Sequence, residues 1–502
     1  MKKAPCLAIL GTGSEVGKSV VATALCRYFV DRGIRTAPYK AQNMSNNSGV
    51  TAEGLEMGRA QIVQAEAAKI PPHVDMNPIL LKPAGDMGSQ VVLFGKAIAH
   101  SMAREYHRNK DVLFSKACEA LDRLRENYDL IVMEGAGSCA EVNLSARDRV
   151  NLPMAEYADA PVILVSDIHR GGVFAQIVGT LACLPMKQQD RIKGLIINRF
   201  QGDIRLFEDG VQWIEERTGK KVFGVIPWYN HIRIEAEDAV SIETPVAGSK
   251  RDPGASAIAV IRLPHISNFT DFDPLLDLKG LDVVFIKRPR DISHFKAIVL
   301  PGSKNTRWDL HWLKDTGWVT IIKEYTRTGG HILGICGGYQ MMGRWVHDTK
   351  GLEGSPGTSA GLDLLPVETL LKSPKTTTRT RFFWENIQGE GYEIHMGETK
   401  RFSGNRLFNI WERNQRPCTG EDGCISHDLR RMGTYLHGMF DSPAITRKWL
   451  KTVGLEHLEV PDKNRFKAKD NTYDLLTSHF ERHMNMDAVM DLVKADVRKP
   501  AI

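Results

Sequence analysis

The sequence predicts an α/β protein made of two parallel-sheet domains, and three observations lead there. Short apolar runs, several of them stopped by glycine or an acidic residue, alternate with helical stretches from the first residues onward. That alternation pauses between about 237 and 256, where AVSIETPVAGSKRDPGAS is rich in Pro, Gly, Ser and charge. A second α/β series then begins at 257. Strands buried on both faces read as continuous apolar runs, and helices between them mark parallel pairing.

In order, Cys6 to Leu10 is the first strand and Val20 to Val30 the first helix. Leu130 to Met133, Val162 to Val165, Gly194 to Asn198 and Val222 to Ile226 continue the first series. Ala257 to Ile261, Val283 to Ile286, Ala297 to Leu300 and His331 to Ile335 form the second. Beyond about 455 the chain is charged and helical through Ile502. The predicted organisation is a first domain over 1–240, a linker at 241–256, a second domain over 257–455 and a helical extension over 456–502.

Composition narrows the function. Of 502 residues, 42% are hydrophobic and 25% charged, with Gly 44 and Pro 23, an ordinary globular balance that excludes fibrous or low-complexity chains. A net charge of +6 suits an acidic small molecule and falls well short of a nucleic-acid footprint. None of the 8 cysteines forms a C-x-x-C pair, which speaks against a zinc ribbon or redox dithiol and for reduced thiols. The apolar start of MKKAPCLAILGTG breaks at Gly11 and Gly13, unlike a signal peptide, and no run approaches the length of a membrane span. The expectation is a cytoplasmic protein without membrane or nucleic-acid partners, with homo-oligomerisation left open.

GTGSEVGKS at 11–19 lies between a predicted strand and a predicted helix. Backbone N–H groups of Gly13, Ser14, Glu15, Val16 and Gly17 can line a phosphate there, at the positive end of the helix. Lys18 reaches the β/γ-phosphates in such a loop, and the Ser19 hydroxyl can ligate Mg²⁺. Thr12 stands where the strict phosphate loop has glycine, so this is a variant. In YDLIVMEGAGS at 128–138 a buried strand ends in Glu134, a natural second Mg²⁺ ligand.

The pattern resembles dethiobiotin synthetase and its relatives, which phosphorylate a carboxylate with ATP. ParA/MinD-type ATPases carry an added signature lysine, and Gly13 stands at that position. The same resemblance implies that Asn198, in IINRF, contacts adenine.

HILGICGGYQMMG at 331–343 runs from a strand through a sharp glycine turn into a helix. Such an elbow exposes Cys336, with the N–H of Gly337 placed for an oxyanion. The elbow resembles class I glutamine amidotransferases, in which the thiol attacks the glutamine side-chain amide and releases ammonia. Their base lies later in the chain, and GTYLHGMF at 433–440 supplies His437. Many of them read H-x-E, whereas Met439 stands here, so the orienting residue is missing and slow glutamine hydrolysis is expected. LPGSKNT at 300–306 offers Gly302 and Ser303 to the oxyanion hole. His395 reads either as facing the glutaminase cleft or as an ordinary strand-edge histidine.

Together the halves resemble the cobyric acid synthases over nearly the full length. The matching stretches are KAQNMSNNS at 40–48, NPILLKPAGDMGSQVV at 77–92, SDIHRGGVFAQIVGT at 166–180, LPGSKNT, GICGGYQ and GYEIHMG. The resemblance implies ATP and Mg²⁺, glutamine as nitrogen donor, and adenosylcobyrinic acid a,c-diamide as substrate. Four of its carboxylates, b, d, e and g, become amides to give adenosylcobyric acid in cobalamin biosynthesis. A corrinoid polycarboxylate calls for cationic and amide donors, which Lys40, Gln42, Asn43, Asn46, Asn47 and Lys82 can provide. Asp167 either assists Mg²⁺ or orders the substrate loop. The competing readings are cobyrinic acid a,c-diamide synthase, another glutamine-dependent ligase, and a ParA/MinD-like regulatory ATPase.

Overall fold

The computed structural model describes residues 3–83, 88–101, 110–145, 148–229, 232, 234–235, 255–462 and 465–494. The first sheet has six strands in the order Lys221–Pro227, Ile192–Phe200, Val162–Asp167, Cys6–Gly11, Leu130–Glu134, Thr36–Tyr39. Every pairing in it is parallel. Cys6–Gly11 is buried at each position, as a central strand covered by helices on both faces must be. The chain leaves it toward both sides. The carboxyl ends of Cys6–Gly11, Leu130–Glu134 and Val162–Asp167 therefore share one edge, where ligand-binding loops of open α/β sheets collect. Every apolar run predicted for this domain lies in the sheet. Thr36–Tyr39 was not predicted, because Pro38 reads as a strand breaker. At the sheet edge that missing donor is tolerated.

The stretch between Thr36–Tyr39 and Leu130–Glu134 builds a smaller layer that the sequence pattern does not announce. Gln42–Met44, Ile79–Pro83, Ser89–Leu93 and Lys96–Ser101 form a four-stranded sheet, and Ser48–Val50 pairs with Glu56–Gly58 as a hairpin. Within NPILLKPAGDMGSQVV, residues 84–87 lie outside the described residues.

The second domain's main sheet runs Leu281–Ile286, Ser256–Ile261, Ala297–Leu300, His331–Ile335, Arg431–Thr434, Cys424–Ile425. Its pairings are parallel except the last. Between His331–Ile335 and Arg431–Thr434 the chain adds two further four-stranded sheets, one of them the antiparallel set Ile387–His395, Thr376–Trp384, Phe408–Arg413, Arg416–Asp422. The predicted linker at 241–256 falls almost wholly outside the described residues.

After the second domain the chain returns to the first. The helices Arg465–His483 and Met486–Lys494 bury Leu476, Phe480, Val489 and Val493 in one cluster with Leu7, Ile9, Val21 and Phe29. Asn485 N–H donates to the Phe223 carbonyl, so the turn between the helices blunts the open edge strand Lys221–Pro227. Gly224 makes this approach possible, since a Cβ there would stand 2.6 Å from the His483 carbonyl oxygen. Buried Arg27 bonds Asp470 and Asp474 of the long helix at 2.9 and 2.7 Å.

Candidate active site

The phosphate loop spans the gap between Cys6–Gly11 and the helix Lys18–Val30. Gly17 caps that helix at φ 101°, and a Cβ on it would meet Asn198 Nδ2 at 2.1 Å, so the position demands glycine. Asn198 Nδ2 donates to the Val16 carbonyl at 2.9 Å, and the residue is buried beneath the loop. Asn198 thus buttresses the loop from below through its amide nitrogen. Gly13, Ser14, Glu15 and Val16 form the loop's wall, and Arg170 pairs with Glu15 at 3.0 Å across its rim. Lys18 Nζ donates to the carbonyls of Gly13 at 2.8 Å and Gly137 at 2.9 Å, which holds the ammonium where the two glycine turns converge.

Glu134 is the acceptor at the centre. Its Oε1 takes bonds from Ser19 Oγ and Lys40 Nζ, each at 2.8 Å. Its Oε2 accepts from Gln64 Nε2 at 2.5 Å and Gln61 Nε2 at 3.4 Å. The 2.8 Å between Ser19 Oγ and Glu134 fits two adjacent corners of an Mg²⁺ octahedron, whose edge is about 2.9 Å. Water and phosphate oxygens suit the remaining corners, since this ion keeps a partly hydrated shell.

The residues expected to bind the corrinoid do not gather in one patch. Lys40 belongs to the Glu134 centre, and Asn43 Nδ2 donates to Gln61 Oε1 at 2.9 Å beside it. Gln42 lies half-buried in the same strand. Lys82 turns to the other domain's boundary, where Nζ donates to Ser48 Oγ at 2.8 Å and pairs with Glu56 at 2.7 Å. Lys375 of the second domain reaches the same carboxylate at 2.6 Å. Burial works against charge on Glu56, but Lys375 and Lys82 outweigh it and hold the carboxyl below the usual range. Burial also pushes Lys375 down to about 7. Asn47 Oδ1 accepts from Thr270 Oγ1 of the second domain at 3.2 Å. Asp167 accepts the His169 N–H at 2.7 Å and pairs with Arg199 at 2.9 Å. Among the described residues the buried side-chain oxygen of Asn46 has no hydrogen-bond partner. A polar run in sequence cannot show that some of its members, such as Asn47, bond to the protein's own second domain.

Cys336 sits at the elbow between His331–Ile335 and the short helix Gly337–Met342 with φ 52° and ψ −109°, a strained conformation for a residue with a Cβ. Glycine is required on its far side, because a Cβ at Gly338 would come within 2.0 Å of the Leu300 carbonyl oxygen. Gly337 lies against Ser303, a Cβ there meeting the Ser303 nitrogen at 2.9 Å. The turn Gly302–Ser303 is itself pinned by antiparallel pairing with Ile266–Ser267 and by Ser303 Oγ on Asp309 at 2.6 Å. The structure thus brings Gly302, Ser303 and Gly337 together beside the thiol, as an oxyanion hole needs.

His437 follows the strand Arg431–Thr434 and is fully buried. A Cβ on Gly302 would stand 2.9 Å from its ring. The place of the missing glutamate, left open by the sequence, is taken by an aspartate from elsewhere in the chain. His437 Nδ1 bonds Asp271 Oδ2 at 2.7 Å, and the other carboxylate oxygen accepts the Gly438 N–H at 2.8 Å. Tyr392 stacks on the ring at 5.4 Å between centroids. Among the described residues His437 Nε2 has no partner at hydrogen-bond distance, and Cys336 is a charged neighbour of the ring. Burial opposes a charge on the ring, yet Asp271 and Cys336 outweigh it and push His437 up to about 10. Asp271 lies in the turn Phe269–Phe272, far ahead of the elbow in sequence; the acidic residue in SNFTDFD was its only signal. His395 is buried: it stacks on Tyr435 at 3.7 Å, bonds the Gly397 carbonyl at 3.1 Å and meets Glu393 Oε2 at 3.4 Å.

One half of the molecule is built to handle phosphate beside an acidic centre, the other to free ammonia from an amide. The common use of both is to turn a carboxylate into an amide, which defines the class of glutamine-dependent, ATP-using amidoligases. Comparison with known proteins narrows it. Residues 7–242 match the CobQ/CobB/MinD/ParA nucleotide binding domain, and residues 257–445 match the CobB/CobQ-like glutamine amidotransferase domain. The chain is 52% identical to the cobyric acid synthase of Chlorobium phaeobacteroides (strain BS1), covering 97% of this chain and 99% of that one. It is 48% identical to that of Chlorobaculum tepidum, covering 98% of each chain, and 45% identical to that of Chloroflexus aurantiacus, covering 95% and 96%. The chain belongs to the cobyric acid synthase family, ATP-dependent ligases that take nitrogen from glutamine. Among the described residues no helix is long and apolar enough to cross a membrane.

Proposed function

We propose that the chain converts adenosylcobyrinic acid a,c-diamide into adenosylcobyric acid in the cytoplasm, amidating the b, d, e and g carboxylates one at a time with ATP and glutamine. The observation that carries this reading is the pairing of a Lys18–Ser19–Glu134 centre with a Cys336–His437–Asp271 centre on one chain, together with near-full-length similarity to cobyric acid synthases.

In the first domain Lys18 and the loop N–H groups hold the ATP phosphates in line with a corrinoid carboxylate. A carboxylate oxygen attacks the γ-phosphorus, the bond to ADP breaks, and an acyl phosphate forms. Mg²⁺ held by Ser19 and Glu134 supplies charge neutralisation at the phosphates when bound. In the second domain the Cys336 thiolate attacks the side-chain amide carbon of glutamine. The oxyanion is met by N–H groups of Gly337 and the Gly302–Ser303 turn, and His437 gives its Nε2 proton to the leaving ammonia. Water then hydrolyses the thioester to glutamate. Ammonia attacks the acyl phosphate carbonyl, the C–O bond breaks, and phosphate leaves.

Mass spectrometry of the corrinoid after incubation with the chain, MgATP and glutamine tests this reading. A gain of four amide groups is expected, and an unchanged corrinoid mass with ATP consumed would overturn it.

A further inference from the structure

Asp271 orients His437, and the turn that carries it is also where the first domain docks. Asn268 opens that turn in a left-handed conformation, φ 51°, and its carbonyl accepts the Asp271 N–H at 3.0 Å. Its side-chain Oδ1 accepts the backbone N–H of Ser48, from the first domain, at 3.0 Å. Two residues further on, the Thr270 hydroxyl donates to Asn47 Oδ1 at 3.2 Å. Asn47, Ser48, Asn268, Thr270 and Asp271 are all buried, so these bonds form away from competing water.

The segment they grip starts at the other centre. Lys40 Nζ bonds Glu134 at 2.8 Å, the chain passes through the strand Gln42–Met44, and Ser48 then meets Asn268. The Ser48 hydroxyl is itself tied down, donating to Glu56 at 2.8 Å and accepting from Lys82 at 2.8 Å. A single stretch of chain thus touches the nucleotide centre at one end and the turn of the triad carboxylate at the other. Phosphates arriving beside Lys18 offer Lys40 a second anionic partner, and any shift in its segment is passed to Asn268 and Thr270 by buried bonds.

We propose that Asn268 and Thr270 are positioning residues for His437, and that through them the segment 40–48 makes glutamine hydrolysis depend on what occupies the first domain. The inference rests on the function proposed above and deepens it. Ammonia is released when a carboxylate is ready to take it, and the signal travels through two side chains of the turn rather than through the ligands themselves. A packing role alone would lower stability without changing how glutamate release responds to ligands on the first domain.

The test measures glutamate release by the full chain, with and without MgATP plus adenosylcobyrinic acid a,c-diamide. Asn268→Gly removes the acceptor while keeping the left-handed backbone accessible. Thr270→Val removes the hydroxyl at nearly constant shape, and Thr270→Ser restores it. Ligand stimulation of glutamate release is expected to fall about fivefold in Asn268→Gly and Thr270→Val, the leverage of about one net hydrogen bond. KM for glutamine stays near its original value, and stimulation returns in Thr270→Ser. Should Asn268→Gly fail to fold, the Thr270→Val and Thr270→Ser pair carries the test. Full stimulation in Thr270→Val overturns the proposal. If the unchanged chain makes no amide from this corrinoid with ammonium chloride as donor, the proposed function falls and this inference with it. If it makes amide yet shows no ligand stimulation of glutamate release, this inference alone falls.

Discussion

Glu134 in the first domain and Asp271 in the second are both buried carboxylates at the heart of a centre, but they keep different company. Glu134 is ringed by an ammonium, a hydroxyl and two carboxamides, donors that neutralise it and leave its oxygens where a hard cation and phosphates can use them. Asp271 gives one oxygen to an imidazole and the other to a backbone N–H, an arrangement that fixes one ring in one orientation. The first carboxylate gathers four side-chain donors beside the phosphate loop. The second is committed to a single catalytic group. The same chemical group therefore gathers several donors in one domain and preorganises a single ring in the other.

The sharpest way to break the comparison is at the nucleophile. Cys336→Ser is expected to cut glutamine-dependent synthesis by at least about ten-thousandfold while synthesis from free ammonia continues. Equal loss with both donors in an amide-formation assay would remove Cys336 from its assigned place. Lys18→Ala should come next, lowering synthesis about a thousandfold with glutamine and ammonia alike, because carboxylate activation precedes both. Surviving ammonia-dependent synthesis would show that Lys18 does not reach the phosphates.

Asp271→Asn tests the other carboxylate. Glutaminase kcat should fall by about a hundredfold or more, since the ring keeps a partner but loses the charge that stabilises imidazolium. Ammonia-dependent synthesis measured alongside should be spared, and a parallel loss would mean that Asp271 serves the fold and not His437. The smallest effect concerns pH. His437 is raised from its ordinary 6.5 to about 10, so its pairing with Asp271 stabilises the fold fully below about pH 6.5 and loses that contribution as pH climbs toward about 10. Urea midpoints recorded across that window should decline, and the decline should flatten in Asp271→Asn. A slope identical in both proteins would assign it to other groups.

How much of this was legible in the sequence depends on distance along the chain. Lys18, Ser19, Cys336 and Gly337 lie in contiguous loops whose glycines betray the turn, so the elements and the chemistry are read together. Most strands of both main sheets were visible for the same local reason, as unbroken apolar runs, whereas Thr36–Tyr39, Arg431–Thr434 and Cys424–Ile425 lack that signature. Asp271 was not, because its partner His437 lies 166 residues away and an acidic residue in SNFTDFD looks like any turn residue. KAQNMSNNS was legible as a run of polar donors, but its place between the two domains was not. Its amides suggest ligand donors, whereas Asn47 bonds the second domain, and nothing local distinguishes an intramolecular partner from a substrate. The sheets between Trp345 and Asp422 were missed because their strands carry many polar, exposed positions, without the fully apolar signature of buried parallel strands.

The return of the last helices to the first domain has a consequence for how the molecule comes into being. Phe480 and Val489 complete the apolar face on which the phosphate-loop strand and helix rest, yet they leave the ribosome after the whole glutaminase half. During translation the second domain has every residue of its core before the first does. The ATP-handling half is finished last, and a protein cut after the linker would present an open hydrophobic face instead of a working synthetase.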